Sequence, residues 1–197
     1  MAARRARRTP LTLAVLSLLN EQPRHPYEMQ ALIRDRHIAD VVRMRGGSLY
    51  DAIARLTDLG LAEATGTSRA GARPERTVYA ITDAGRAELR SLLREYLGTR
   101  AEEYPVFAAG LAHAGHLPRD EVQALLRTRA DELEGRIEEV ASNLAAALAA
   151  GIPKAVLLET DYAQALRRAE LAWLRETLRA AEADELGWGQ SFEGAKS

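Results

Sequence analysis

Two histidines, His113 and His116, have the residue type and spacing that could bind a metal ion. They lie three positions apart in the segment HAGH, which would bring both imidazoles to one side of a helix. No neighbouring carboxylate or third histidine completes the site, and Gly115 between them indicates a helix end. The chain has no cysteine, which excludes disulfides, thiol catalysis and cysteine-ligated zinc. We therefore predict no metal and no other cofactor.

Other arrangements of reactive side chains are equally incomplete. The segment GTSRAGARP, residues 66–74, has neither the spacing of a phosphate-binding glycine loop nor a helix after it. The acidic runs DELEGRIEE and AEADE are typical of solvated helix faces, and no nucleophile stands beside a recognisable base. An enzyme is therefore not expected.

Charge is distributed unevenly along the chain, although the net charge is only −1. Residues 1–100 contain 17 Arg against 11 Asp and Glu, a net charge of +6, whereas residues 101–197 have a net charge of −7. A basic segment can bind phosphate and an acidic one cannot. Any contact with nucleic acid is therefore expected in the first half.

The first half contains three segments with helical periodicity. Thr9 can cap a helix that starts with Pro10, and apolar side chains recur on one face through residue 21. A second helix is predicted to begin near Pro26. A third is expected at residues 47–59.

The third helix, which two glycines precede, is the most informative. Ser48 is predicted to cap it, Asp51 to close an acidic variant of the capping box, and Gly60 to end the helix. At about 100° per residue, a narrow apolar stripe faces inward and a mostly polar face points outward. The stripe consists of Leu49, Ile53 and Leu56; the outward residues are Asp51, Ala54, Arg55 and Asp58, with Tyr50 at the flank.

After the third helix the periodicity changes to that of strands. Residues 61–66 alternate weakly, and residues 76–82 have the β-branched and aromatic content of a strand. Three helices followed by a hairpin form a winged helix-turn-helix, in which the third helix enters the major groove of DNA. The wing arginines Arg69, Arg73 and Arg76 are predicted to contact phosphate or the minor groove.

Three segments in this order resemble the PadR family of transcriptional regulators. They are TPLTLAVLSLLNEQPRHPYEMQALI, GSLYDAIARLTDLGLAEA and RPERTVYAITDAGR, and they span roughly residues 9–90. The resemblance implies a mainly α-helical protein in which a small β-hairpin wing completes an N-terminal winged helix-turn-helix and a C-terminal domain of long helices forms a dimer. It also implies a homodimeric repressor that binds a two-fold operator in double-stranded DNA through helix 47–59 and wing 67–76.

The resemblance also assigns DNA contacts by position, to Tyr27, Ser48, Tyr50 and Arg76. For the two tyrosines, the alternative is that they are half-buried packing residues whose hydroxyls hydrogen-bond only to water. Arg55 is a further predicted contact, with an ion pair to Asp51 or Asp58 at helical spacing as its alternative. The basic tail, residues 1–8, is either disordered or a phosphate-binding arm.

Long helices are predicted throughout the second half. A helix is expected after Pro105, and residues 126–147 repeat apolar residues every seven positions, as a coiled-coil seam does. The last helix is expected from Pro153 to about Glu185. Its apolar stripe consists of Leu158, Tyr162, Leu166, Ala169 and Trp173. Such seams pair within one chain or between two chains, and the sequence leaves both possibilities open.

We predict a DNA-binding domain at residues 1–98, a helical dimerisation and effector domain at 99–185 and a tail at 186–197. No apolar run approaches the roughly 20 residues that a membrane span needs. A cytoplasmic protein without membrane contact is therefore expected. The resemblance also implies release from DNA by a small aromatic effector, and the large apolar groups that could line its pocket are Phe107, Tyr162 and Trp173. Packing in the dimer core is their alternative role.

Two alternative functions remain open. One is a winged-helix module that binds a protein partner and no specific DNA. The charge distribution favours DNA, whereas Asp51 and Asp58 count against it, because carboxylates repel phosphate unless they accept a hydrogen bond from a cytosine amine. The other is a regulator that follows its own abundance and never binds an effector.

Overall fold

The computed structural model describes residues 8–36, 38, 42, 47–68, 76–101 and 103–187. It divides into two compact units, Met1–Glu102 and Glu103–Ser197. The elements of the first unit are α1 (Pro10–Glu21), α2 (Pro26–Asp35), α3 (Ser48–Asp58), β1 (Ala62–Ser68), β2 (Arg76–Ile81) and α4 (Asp83–Gly98). Those of the second are α5 (Val106–Ala112), α6 (Arg119–Ala149) and α7 (Leu158–Glu182), with 3-10 helices at Ala114–His116 and Lys154–Leu157.

Helix α1 forms the centre of the first unit. It begins as predicted, because the Thr9 side chain accepts a hydrogen bond from the Thr12 N–H and Pro10 takes the first helical position. Seven of its twelve residues are buried, so the helix is covered on more than one side. It packs against α2, α3, α4 and β2.

The wing is a two-stranded antiparallel hairpin, as predicted. Its register pairs Ala62 with Ile81, and it shifts between Ala64 and Gly66, where one strand carries a bulge. A further contact had no signal in the sequence, because Tyr79 of β2 also pairs with Arg24 in the turn before α2. The Arg24 N–H donates to the Tyr79 oxygen at 2.9 Å, and the Tyr79 N–H donates to the Arg24 oxygen at 3.0 Å.

The side chain of Arg24 is buried and holds the turn between α1 and α2. Its Nε donates to the backbone oxygen of Leu18 at 3.1 Å, and its Nη2 donates to Glu21 Oε2 at 2.6 Å. Arg36, just after α2, donates to the other Glu21 oxygen at 2.6 Å. A single carboxylate therefore connects the end of α1 with the end of α2.

In the second unit, α6 and α7 form an antiparallel pair within one chain. Their interface places Val122, Leu126 and Ala130 against Leu171, Leu174 and Leu178. Ion pairs flank it: Arg119 with Asp184 at 2.5 Å, Arg129 with Glu170 at 2.6 Å and Arg175 with Glu134 at 2.5 Å. For these two helices, the pairing that the sequence left open is within the chain.

The apolar stripe predicted for the last helix does not form this interface. All five of its residues are exposed, and α7 packs on α6 through the opposite face, where even the polar Gln164 is fully buried. Gln164 Nε2 donates to the Ile137 oxygen at 2.9 Å, which satisfies the buried amide. The start was also misplaced, because a 3-10 helix follows Pro153 and α7 begins only at Leu158.

Candidate nucleic-acid interface

Helix α3 begins one residue earlier than a serine cap would allow. Gly47 is the N-cap, with a φ of +81° that glycine adopts at little cost, and the Asp51 N–H donates to the Gly47 oxygen at 3.1 Å. Ser48 is therefore the first helical residue and not the cap. The predicted Ser48–Asp51 capping box was wrong, because the glycine supplies the cap with its backbone alone.

The two faces of α3 lie as predicted. Leu49, Ile53 and Leu56 are buried in the core of the first unit. On the other face Tyr50 is 54% exposed, and the side chains of Asp51, Ala54, Arg55 and Asp58 are exposed with it. The core thus fixes which polar groups α3 presents to a partner.

The connection from α3 to the wing is fixed by backbone hydrogen bonds. Gly60 has a φ of +69°, its N–H donates to the Thr57 oxygen at 2.9 Å, and the Leu61 N–H donates to the Leu56 oxygen at 2.8 Å. This pair of bonds is a Schellman motif, so the predicted glycine stop is confirmed. The Thr82 hydroxyl then donates to the Gly60 oxygen at 2.7 Å and links the end of the wing to the end of α3.

Tyr27 lies in the first turn of α2, which packs against α3. A capping box fixes this turn: His25 Nδ1 accepts from the Tyr27 N–H at 3.1 Å, and Glu28 Oε2 accepts from the His25 N–H at 3.0 Å. The Tyr27 side chain is 57% exposed. Tyr27 and Tyr50 therefore present aromatic side chains to solvent from neighbouring helices, and neither is a core residue.

Among the predicted arginine contacts, the structure describes the side chain of Arg55 but not those of the wing arginines. Arg55 is exposed, and the ion pairs that the described part of the first unit forms do not include it, so the alternative pairing with an aspartate is not made. Arg69 and Arg73 lie outside the described residues, as does the side chain of Arg76, whose backbone begins β2.

The last arginine of the basic tail binds the protein itself. Arg8 Nη1 lies 2.7 Å from Glu95 Oε2, and Nη2 donates to the Ser91 hydroxyl at 2.7 Å. Both partners are on α4. Arg8 therefore belongs to the fold of the first unit, whereas residues 1–7 lie outside the described part of the chain.

The second unit contains an apolar cavity of about 300 Å³. Residues of α5, α6 and the segment between them line it, among them Phe107, Leu111, Leu125, Leu126 and Arg129. The Arg129 guanidinium lies 3.9 Å from the centre of the Phe107 ring. Trp173 meets the same ring edge-on at 6.0 Å, whereas Tyr162 is 67% exposed and does not line the cavity. Of the three predicted effector residues, the structure brings two together.

The histidine pair gains no further ligand. The His113 and His116 rings stack with centroids 6.4 Å apart, and nowhere among the described residues do three metal-binding side chains come together. None of the helices that the structure describes combines the length and the apolar composition that crossing a bilayer requires.

Three helices, a wing and a following helical unit define the class as a winged helix-turn-helix protein. Residues 15–91 match the Transcriptional regulator PadR-like family, so the chain carries a PadR-like domain and the resemblance seen in the sequence is confirmed for that domain. The family consists of transcriptional regulators, which agrees with the expectation of a regulator. Among curated proteins, none matches the sequence.

Solved structures share the fold over most of the chain. Bacillus subtilis PadR in complex with operator DNA matches with a TM-score of 0.70 and 18% identity, over 87% of this chain and 98% of that one. The same protein in complex with p-coumaric acid matches with a TM-score of 0.67 and 18% identity, over 88% and 99%. The PadR-like transcriptional regulator BC1756 from Bacillus cereus matches at 0.60 and 18%, also over 88% and 99%. The predicted fold, mainly α-helical with a β-hairpin wing and a C-terminal domain of long helices, is confirmed.

Proposed function

We propose that this chain is a homodimeric transcriptional repressor that binds a two-fold operator through α3 and the wing, residues 67–76. The observation that carries the proposal is the outward face of α3, whose polar side chains are exposed on a domain that matches a family of transcriptional regulators. Bacillus subtilis PadR, which has the same fold, is solved with operator DNA, and this supports the same role here.

The proposed DNA contacts are of two kinds. Tyr50, together with Tyr27 and Ser48, supplies hydroxyl groups for bases or phosphates near the start of α3. Arg55 supplies a cation about one and a half turns after Tyr50. The wing arginines Arg69, Arg73 and Arg76 add charge for phosphate or the minor groove.

The exposed stripe of α7 supports dimerisation. Leu158, Tyr162, Leu166 and Trp173 leave a row of large apolar side chains in solvent, which is costly unless a partner covers it. A second copy brings an identical stripe and, by two-fold symmetry, a second reading helix. This symmetry matches an operator with two half-sites.

We further propose that a small aromatic compound releases the protein from its operator. The cavity beside Phe107 is apolar and of a size that admits a single-ring compound, and Trp173 is placed to report on it. Bacillus subtilis PadR is solved with p-coumaric acid, which supports an aromatic ligand for this chain as well. A ligand that binds the DNA-incompetent arrangement more tightly lowers the affinity for the operator by that difference.

The test is a titration of the full chain against DNA from immediately upstream of its own reading frame, at several salt concentrations. Specific binding that Tyr50→Ala and Arg55→Ala each weaken is the expected result, and the salt dependence of Arg55→Ala is shallower by about one ion if Arg55 contacts phosphate. Arg168→Ala, which removes an exposed arginine from α7, is the matched control.

The alternatives give different outcomes in the same experiment. Equal affinity for operator and unrelated DNA, together with an absence of enriched sequences in a selection from genomic fragments, would contradict the proposal and favour the protein-interaction module. Specific binding that no aromatic compound relieves would instead leave the repressor in place and remove only the effector.

A further inference from the structure

The outward face of α3 is acidic, which is unusual for a surface that approaches phosphates. It carries Asp51, Asp58 and a single cation, Arg55, which gives the face a net charge of −1. In a groove lined by phosphates, two carboxylates reduce the affinity for DNA of any sequence. We therefore expect a carboxylate on this face to have a role other than attraction to the DNA phosphates.

The position of Asp51 on the helix directs it toward the bases. At 100° per residue Tyr50 and Arg55 lie about 140° apart, at the two edges of the exposed face, and Asp51 lies between them. When a helix enters the major groove, the edges of its outer face meet the walls and the middle meets the base edges. The first turns of a recognition helix make most of these base contacts, and Asp51 is in the first turn of α3.

The chemistry of a carboxylate limits which base it can select. An ionised carboxylate only accepts hydrogen bonds. In the major groove cytosine offers a donor, its N4 amine, whereas adenine offers its N6 amine beside the N7 acceptor, which repels the second carboxylate oxygen. Guanine and thymine offer acceptors there. Cytosine is therefore the base that Asp51 fits.

We propose that Asp51 accepts a hydrogen bond from the N4 amine of one cytosine in each half of the operator. This inference rests on the proposed function, since it requires α3 to enter the major groove. It makes Asp51 a specificity-determining residue whose effect on general DNA affinity is unfavourable.

Asp58 provides a matched control on the same face. It is also exposed but ends α3, seven residues and about 10 Å further along the axis, away from the turn that approaches the bases. Asp51→Asn and Asp58→Asn remove the same charge with almost no change in shape. Any effect that comes from net charge alone appears in both variants.

The experiment selects binding sites from randomised duplex DNA with the full-length wild type and with each variant, and then measures affinities for the selected sites. The wild type is expected to select a two-fold site with one invariant cytosine in each half, and to discriminate against other bases there by about tenfold or more. Asp51→Asn is expected to replace that cytosine with adenine, because an asparagine amide pairs with adenine N6 and N7. Asp58→Asn should keep the cytosine, and both variants should bind random DNA more tightly than the wild type.

Three outcomes would overturn the inference, and they separate it from the proposed function. If Asp51→Asn selects the same bases as the wild type, Asp51 does not read a base, although the operator-binding function stands. If both variants change the same position, the effect is electrostatic. If the wild type enriches no sequence, the proposed function fails together with the inference. The melting temperature of each variant is measured as well. If Asp51 only stabilises the first turn of α3, Asp51→Asn lowers the melting temperature and leaves the base preference unchanged.

Discussion

Gly85 in the first turn of α4 lies directly against the backbone carbonyl of Leu61, so that a Cβ at this position would overlap the Leu61 oxygen and lie 2.7 Å from Ile81 Cγ1. Both neighbours belong to the base of the wing. Because backbone atoms cannot move aside as a flexible side chain does, Gly85→Ala is expected to lower the free energy of unfolding by about 1–3 kcal/mol. Denaturant unfolding of the full chain measures this loss. Gly98→Ala is the control, since its Cβ would meet open space, and an equal loss there would contradict the steric explanation.

The carboxylate of Glu21 should make stability depend on pH. The hydrogen bond from Arg36, aided by the charges of Arg36 and Arg24, lowers the pKa of Glu21 below its ordinary value of 4.5, although partial burial acts in the opposite direction. A lowered carboxyl pKa stabilises the folded state above the ordinary value, and this contribution disappears as the pH falls through the lowered one.

We therefore expect Glu21→Gln to lower the free energy of unfolding by about 1 kcal/mol at pH 7, a modest figure because the carboxylate is partly exposed. The difference between wild type and variant should shrink below pH 4.5. Unfolding curves at a series of pH values check it. A difference that stays constant down to about pH 3 would show that the ion pairs are not its source.

The proposed dimer interface is the exposed apolar stripe on α7. Leu166→Glu places a charge in the middle of this apolar row and is expected to shift the chain toward monomer in sedimentation velocity, by about tenfold or more in the dissociation constant, because the interface must bury the new charge. Leu166→Met keeps the apolar contact and should leave the dimer intact. If both variants dimerise with the same dissociation constant as the wild type, α7 is not the interface.

Filling the cavity of the second unit tests the proposed effector site. Gly110 lines the cavity, and its missing Cβ would meet no atom within 4 Å, so a side chain can be added at this position. Gly110→Leu is expected to fill part of the cavity. With indole and p-coumaric acid as probes, we expect the wild type to lose operator affinity and to change its tryptophan fluorescence with at least one of them. The variant should bind the operator normally and respond to neither compound. A variant that responds like the wild type would place the effector site elsewhere.

The first unit was largely predictable because its local signals and its packing agree. Leu49, Ile53 and Leu56 recur at helical spacing and are the residues that the core buries, and Gly60 ends α3 with the positive φ that glycine favours. The prediction of Ser48 as the N-cap was wrong, although serine is a common cap. Gly47 adopts the left-handed conformation and is itself the N-cap, so that the helix begins one residue earlier.

Helix α7 shows why the second unit was harder to predict from the sequence. It has apolar residues on two faces, and periodicity alone does not say which face meets the partner helix. The face that α6 covers contains Gln164, a residue type that is mostly found in solvent, whereas the exposed face carries Trp173 and Leu166. The buried amide is tolerated because the Ile137 carbonyl accepts its hydrogen bond, and this long-range pairing leaves no local trace in the sequence.

The reciprocal hydrogen bonds between Arg24 and Tyr79 turn β2 into an inner strand at its midpoint, with β1 on one edge and the turn before α2 on the other. An inner strand does not lose its amide protons by fraying at an edge, so deuterium uptake at the Tyr79 amide requires its hydrogen bond to the Arg24 oxygen to open. Deuterium uptake at this single wing amide therefore reports how firmly the hairpin is held to the turn between α1 and α2.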